Sequence, residues 1–285
     1  VNPPVLNGYT APQVSMKPFY LQLPQCTISS NPYGGATGTY GLIDCLAIKN
    51  GGVWVVVRFY YQPGDEGVIL WAGNAQYPNN PANTVPWVYV GTNGYIYFGD
   101  WDNGPWQVSF PLTTGWHTLV AGEYFSGGTY YIVAYLDSTS NGKSSTNSTT
   151  SFGPQIFGIG VSPSLEYNDI GAGVTGGGWP NTPSGWFLND GVIAYVAFFP
   201  GGASVGSYLA SKVFSIASQQ QTPTGYAIDY PPNGVEPVVV GAYASTPMGL
   251  SILLPSQLGI INYEIHVAHP TSPLATLGSS VLVGS

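Results

Sequence analysis

The sequence predicts an all-β protein: an antiparallel β-sandwich of the jelly-roll type with one short helix and a small C-terminal β region. The first observation is composition, because 21 Tyr, 8 Trp and 11 Phe accompany 39 Gly and 25 Pro. Aromatic residues favour strands, and Gly and Pro favour the turns between them. The second is spacing, since strand-like runs recur about every 8–12 residues, as in sandwiches and barrels.

The strand-like runs are rich in β-branched and aromatic residues and are separated by Gly, Asn, Asp and Pro. They are GVWVVVRFYY (52–61), GVILWAG (67–73), PWVYVG (86–91), GYIYFGDW (94–101), PWQVSF (105–110), GWHTLVAGEY (115–124), TYYIVAYLD (129–137), FGIGVS (157–162) and DGVIAYVAFFP (190–200). Several are apolar at successive positions, which predicts that the outer faces of the sandwich are also partly covered.

One helix is predicted over 203–218, where the apolar residues are spaced to share one face. Ser204 is suited to its N-cap. The chain divides into an extended, Pro-rich arm (1–25), the sandwich (26–218) and a C-terminal β-strand domain (219–285). The last segment contains four strand-like runs, and they form either a small domain or strands that complete the sandwich.

Charged residues make up only 6% of the chain, with 5 Lys and Arg against 13 Asp and Glu. So few cations argue against binding to nucleic acid. No uninterrupted apolar run is long enough for a transmembrane helix. Because few groups ionise, we expect folding to depend little on pH, as suits a thermostable protein in a harsh, hot or acidic extracellular setting.

Two sequence features agree with an extracellular location, on a cell surface or a virus particle. Cys26 and Cys45 are the two cysteines, and a disulfide between them is favoured over two buried thiols. Asn147 begins an Asn-Ser-Thr glycosylation sequon within a polar segment that we expect to be a solvated loop.

The segment GDWDNGPW (99–106) is the best candidate for a metal site. Asp100, Asp102 and Asn103 bring oxygen ligands of the kind calcium prefers into one turn. The alternative is an ordinary Asp-Asn-Gly hairpin turn that binds nothing. No cofactor is required on either interpretation, and calcium is the metal to test.

Four tryptophans near predicted loops are candidates for glycan binding or for an interface: Trp101, Trp106, Trp179 and Trp186. Exposed indole rings stack on sugars and anchor interfaces, whereas buried ones fill the core. The sequence does not choose between these two roles.

Catalytic residues are not predicted. β-Sandwich glycosidases use paired carboxylates, and the acids here, such as Glu123 and Asp137, are isolated in sequence. The stretch GWHTLVAGEY has His117 and Glu123 on one strand face, about 20 Å apart. We expect Trp116 to be the core residue there, and His117 to be hydrogen-bonded or solvent-facing on the opposite face.

The chain resembles the laminin-G-like, or concanavalin A-like, superfamily over residues 18–218. The stretches that carry the resemblance are GVWVVVRFYYQPGDEGVILWAG, VYVGTNGYIYFGD, TTGWHTLVAGEYFSGGTYYIVAYLDS and FLNDGVIAYVAFFPGGASVGSYLASK. In such proteins a Trp-His dipeptide opens one strand, and the next strand ends in an Asp. The closing strand departs from the pattern, because Ala194, Tyr195 and Ala197 replace charged residues.

The resemblance implies binding or assembly more often than catalysis. We therefore predict a non-catalytic structural subunit of a surface appendage, an envelope or a virion, which self-assembles into an oligomer or polymer. The first alternative is a carbohydrate-binding adhesin or lectin module, and the second is a glycoside hydrolase.

Overall fold

The computed structural model describes residues 20–217, apart from gaps at 77–78, 148–153, 162–163 and 177. Outside that range it describes the backbone of five short strands, two before residue 20 and three after residue 217.

Strands dominate the described chain and alternate with short connections. The first nine are β1 (Val5–Leu6), β2 (Tyr9–Thr10), β3 (Tyr20–Ile28), β4 (Gly38–Gly41), β5 (Gly52–Tyr61), β6 (Gly67–Gly73), β7 (Thr84–Val90), β8 (Tyr95–Trp101) and β9 (Pro105–Pro111). The others are β10 (Gly115–Ser126), β11 (Thr129–Leu136), β12 (Gly142–Asn147), β13 (Tyr167–Ile170), β14 (Val192–Pro200), β15 (Val238–Tyr243), β16 (Gly249–Leu253) and β17 (Ile260–His266). The helices are α1 (Leu42–Asn50) and α2 (Ala203–Ala217).

Two antiparallel sheets form a sandwich, which confirms the predicted all-β class. One has seven strands in the order β12-β11-β10-β5-β14-β15-β16. The other has eight, in the order β17-β3-β13-β6-β7-β8-β9, with β4 paired to β3. Strands that are adjacent in the sheets are often distant in sequence, as β5 and β14 are.

The main core lies between the sheets and is built by strand alternation. On β10, Leu119 and Ala121 point inward, while Val120 and Tyr124 point outward. The outward residues are also buried, because α2 packs on this outer face. The prediction that the outer faces are partly covered is therefore confirmed for the seven-stranded sheet.

Helix α1 was not predicted, so the single-helix prediction was wrong. Its sequence, LIDCLAIKN, is buried at seven positions and lacks a polar face, which removes the amphipathic pattern that identifies a surface helix. Cys45 on α1 forms a disulfide with Cys26 on β3, as predicted. A bridge closing a loop of this length stabilises the fold by about 3 kcal/mol.

Other sequence-based element predictions also differ from the structure. Residues 157–162 contain no described strand; a 3₁₀ turn, Gln155–Phe157, ends at Gly158, which has a left-handed φ of 74°. Strand β13 was missed because its sequence, YNDI, is polar. Helix α2 begins at Ala203, so Ser204 lies inside the first turn instead of capping it.

The described C-terminal strands extend both sheets. Strand β15 pairs with β14, β16 pairs with β15, and β17 pairs with β3. The last strand-like run, SSVLVG, lies outside the described residues, as does most of the N-terminal arm. The last residues of that arm, from Tyr20 onward, belong to β3.

Candidate functional site

The four predicted tryptophans do not form one site. Trp101 and Trp179 contact each other, with ring centroids 5.5 Å apart. Trp106 projects from the opposite face of the β8–β9 hairpin, and its indole donates to Ser145 Oγ at 2.9 Å. Trp186 packs against Trp71, 5.5 Å away. Of the four, only Trp101 and Trp179 therefore contact each other, and Trp179 is buried.

Strand β8 determines which side chains reach the outer face of the eight-stranded sheet. Ile96 and Phe98 point between the sheets, so Tyr95, Tyr97 and Trp101 lie on the other face, where Tyr97 is nevertheless buried. This outward row of aromatic rings follows from the alternating sequence YIYFGDW.

The middle of this row is covered by the loop that contains Trp179. Tyr97 stacks on Tyr89 at 4.7 Å, and Trp179 closes over Tyr89 edge-on at 6.4 Å. The Tyr89 hydroxyl donates to the carbonyl of Pro180 at 3.0 Å. Tyr89 and Trp179 are consequently buried and act as support, while Tyr95, at 37% exposure, is accessible.

A tight turn, GTNG, places Asn93 beside the row. Gly91 N donates to the carbonyl of Tyr95 at 2.9 Å, and Gly94 has a φ of 74°, which favours glycine. The covering loop is joined to this turn through Thr92 N, which donates to the carbonyl of Asn181 at 2.9 Å. The turn and the loop thus hold two asparagines on the same surface.

Both asparagines converge on the Tyr97 hydroxyl. Asn93 Nδ2 donates to it at 2.9 Å and Asn181 Nδ2 donates to it at 2.7 Å. The exposed ring of Tyr95 lies beside them, 6.5 Å from the Tyr97 ring. We call Asn93, Tyr95, Tyr97 and Asn181 the tyrosine–amide patch.

The tyrosine–amide patch combines an aromatic face with uncharged hydrogen-bonding groups. The Tyr97 hydroxyl is buried and accepts from both amides, while the exposed Asn93 and Asn181 each keep a second N–H donor and an amide oxygen acceptor. An aromatic ring next to a fixed donor and acceptor suits a ligand with apolar faces and hydroxyl edges. The sequence indicated the aromatic residues, but the asparagines come from separate turns and gave no signal.

His117 is held in an arrangement that prevents it from acting as a base. Its Nδ1 lies 2.6 Å from Asp137 Oδ2, and its Nε2 lies 2.7 Å from the carbonyl oxygen of Thr113. Both neighbours are acceptors, so both ring nitrogens donate. Burial alone would lower the pKa of His117, but the hydrogen bonds to Asp137 and Thr113 raise it.

Trp116 was predicted to be the core residue and His117 to lie on the opposite face, but the structure places His117 on the core side. His117 is buried, whereas Trp116 is half-buried on the outer face, where the Arg58 guanidinium lies 5.5 Å from its ring centroid. The imidazole can occupy the interior side of β10 because polar partners accept hydrogen bonds from both of its nitrogens.

Two carboxyl groups that are isolated in sequence are buried in the core. Glu123 and Asp100 are fully buried, and Trp87 Nε1 donates to Glu123 Oε2 at 3.3 Å. Burial and the charge of Asp100 raise the pKa of Glu123, while burial raises the pKa of Asp100 to about 7. Burial thus favours the protonated form of both acids. Neither is exposed, so a substrate cannot reach them in this conformation.

The calcium candidates are divided between the interior and the surface. Asp100 points inward and accepts N–H donors from Trp101 at 2.6 Å and Ile156 at 2.9 Å. Asn103 is exposed in the turn with a left-handed φ of 54°. Within the residues that the structure describes, no group of three or more His, Cys, Asp or Glu could hold a metal ion. A calcium site involving Asp102 stays a prediction.

The sequon asparagine does not lie in a loop, as predicted, but ends strand β12. Asn147 Nδ2, the atom that a glycan would occupy, donates to Asp102 Oδ2. The two following sequon residues lie outside the described residues, and glycosylation stays a prediction. Neither described helix is long and apolar enough to cross a membrane.

Comparisons with known proteins give only distant matches. No protein-family model matches the chain, and no curated protein matches it. Among solved structures, the enzymatically active domain of tailspike protein 2 from bacteriophage CBA120 matches with a TM-score of 0.35 at 13% identity, over 74% of this chain and 33% of that one. The CBM40 of the Ruminococcus gnavus IT-sialidase matches with a TM-score of 0.33 at 14% identity, over 69% of this chain and 97% of that one. The chain thus spans about a third of the tailspike domain's length. The β-sandwich is established, and membership of the laminin-G-like superfamily stays a prediction.

Proposed function

We propose that this protein is a non-catalytic extracellular module that binds glycans through the tyrosine–amide patch. The observation that carries the proposal is the exposed Tyr95 ring beside the exposed Asn93 and Asn181 amides, which the buried Tyr97 hydroxyl holds in place. Sugar rings present apolar C–H faces and hydroxyl edges, and this surface offers a partner for each.

A non-catalytic role is supported by the state of the acids and of His117. Asp100 and Glu123 are inaccessible, and both nitrogens of His117 face acceptors. An extracellular location is supported by the Cys26–Cys45 disulfide, because disulfides persist in oxidising compartments.

The test is a glycan array with the labelled wild-type protein, followed by calorimetry of the best oligosaccharide. We expect Tyr95→Ala to weaken binding about tenfold, as loss of an aromatic contact of about 1.4 kcal/mol would. Tyr135→Ala is the matched control, because Tyr135 is a half-buried tyrosine on the outer face of the other sheet. Equal losses in both variants, or no bound glycan, would overturn the proposal.

Self-assembly is the second candidate function. It is favoured by the way β15 and β17 extend the sheets beyond β14 and β3, since the same sheet edges would accept strands from a neighbouring subunit. The prediction of a filament, envelope or virion subunit depends on the N-terminal arm and the C-terminal segment. Most of both lies outside the described residues. Sedimentation should show a polymer that deletion of residues 1–20 abolishes, and a persistent monomer at high concentration would contradict it.

A further inference from the structure

We infer that the ligand of the tyrosine–amide patch is an uncharged glycan, selected against sialylated, sulfated or uronate-containing glycans. This inference rests on the proposed function and specifies its ligand class.

The polar groups of the patch are all neutral. Asn93 and Asn181 contribute amides, and Tyr97 contributes a hydroxyl that accepts from both of them. Amides and hydroxyls pair well with sugar hydroxyls. A carboxylate or sulfate, by contrast, is bound most strongly by the charged fork of Arg or by Lys.

Acidic side chains lie in the connection next to Tyr61, whose hydroxyl is close to the GTNG turn. Gly94, in the GTNG turn, packs against the hydroxyl of Tyr61 at the end of β5. The connection that follows β5 contains Asp65, which accepts from Gln62 N at 2.9 Å. Glu66 follows, and its N–H donates to Asp190 Oδ1 at 2.6 Å. Three carboxylates therefore lie near this end of the molecule.

The charge of Asp65 acts on Tyr61, the side chain that is close to the turn. Burial and the charge of Asp65 raise the pKa of Tyr61. An anionic sugar entering the patch would meet the same negative field, which opposes its binding.

The described cations lie on other surfaces. Arg58 donates to Thr118 Oγ1 and lies over Trp116, on the outer face of the seven-stranded sheet. Lys143, on the edge strand β12 of the seven-stranded sheet, donates to the carbonyl of Ser109, the β9 residue paired with Tyr97, and lies 5.0 Å from the centroid of the Phe110 ring, on the core side.

The remaining two described cations belong to the helices. Lys49 is on α1, which packs on β3, β5 and β14, and Lys212 is on α2, on the outer face of the other sheet. Arg58, Lys49 and Lys212 therefore belong to elements that do not form the patch, and Lys143 is held by the Ser109 carbonyl on the core side of β9.

The experiment compares neutral oligosaccharides of hexose, N-acetylhexosamine and deoxyhexose with their sialylated, sulfated and uronate counterparts. Affinities are measured by calorimetry at about 20 mM and about 300 mM NaCl, between which the Debye length shortens several-fold. We expect the neutral ligand to bind with less than about twofold change between the two salt concentrations, and its anionic counterpart to bind at least tenfold more weakly.

Variants link these results to the patch. Asn181→Ala should abolish neutral-glycan binding while leaving the circular dichroism spectrum unchanged. Asn93→Lys should bring in binding of the anionic counterpart, and high salt should weaken that binding. Tyr135→Ala should change nothing.

Two failures can be told apart. Tighter binding of the anionic ligand by the wild type, lost in Asn181→Ala, would overturn the inference and leave the proposed function standing. No binding of either class would overturn the proposed function itself.

Discussion

At the scale of single residues, His117 shows how one contact decides a side chain's role. Its imidazole faces Asp137 on one side and the Thr113 carbonyl on the other, and Asp137 also accepts from Thr118 N at 2.7 Å through its second oxygen. The imidazolium therefore links the start of β10 to the end of β11. The resemblance noted in sequence singled out this Trp-His and this Asp, but not their contact, because they are twenty residues apart.

We predict that His117→Gln destabilises the protein more at pH 5 than at pH 9. The pKa of folded His117 is raised, so its contribution is complete below about pH 6.5, the unfolded value, and is lost as the pH rises through the folded value. Denaturant titrations should show a loss of about 1–2 kcal/mol at pH 5. A loss that is equal at the two pH values would contradict the charged imidazolium.

At the scale of elements, the packing of α2 depends on glycines around Trp54. A Cβ on Gly206 would lie 1.9 Å from the Trp54 ring, and one on Gly122 would lie 2.1 Å from it. The indole also donates to the carbonyl of Gly202 at 2.9 Å. One tryptophan thus fixes α2 against β5 and β10.

Gly206→Ala should therefore destabilise the protein, although alanine normally favours helices. We expect overpacking against Trp54 to cost about 1–3 kcal/mol, measured by thermal unfolding. Gly202→Ala is the matched control, because a Cβ there meets nothing within 4 Å. A Gly206→Ala protein as stable as the wild type would show that α2 does not pack as described.

The elements differ in how far sequence predicts them. Strand β6 is apolar over its whole length and β5 is apolar except for Arg58, and both were predicted with the correct bounds. Strand β13 and helix α1 were missed because their polar groups are satisfied by each other: Asn168 accepts from Ile43 N at 2.6 Å and donates to Asp44 at 2.9 Å. The tyrosine–amide patch was half predicted, since its rings follow the period of β8 but its amides depend on two turns that only the fold brings together.

At the scale of the whole molecule, buried acids oppose the expectation of weak pH dependence. Asp44, Asp100, Glu123 and Asp169 are all fully buried. Burial raises the pKa of Asp169 to about 8 and that of Asp100 to about 7. The folded protein therefore keeps protons that the unfolded chain releases above about pH 4, so its stability falls as pH rises. A protein with few ionisable groups can therefore have a stability that depends strongly on pH when those groups are buried.

We predict that the Tm rises by about 5–10 °C from pH 8 to pH 4, measured by calorimetry. Asp169→Asn should flatten this dependence because it removes a titrating group and keeps the shape of the side chain. Glu166→Gln, at a half-exposed position nearby in sequence, should leave it unchanged. A Tm that falls on acidification would show that the buried carboxyls are ionised and stabilised in the folded state.

The most direct test of glycan binding at the tyrosine–amide patch is a nuclear Overhauser measurement between a bound neutral oligosaccharide and the protein's aromatic protons. We predict cross-peaks from the C–H protons of one sugar ring to the Tyr95 ring, and their disappearance in Asn181→Ala. Cross-peaks to Trp116 or Tyr135 instead, on the outer face of the other sheet, would contradict the account.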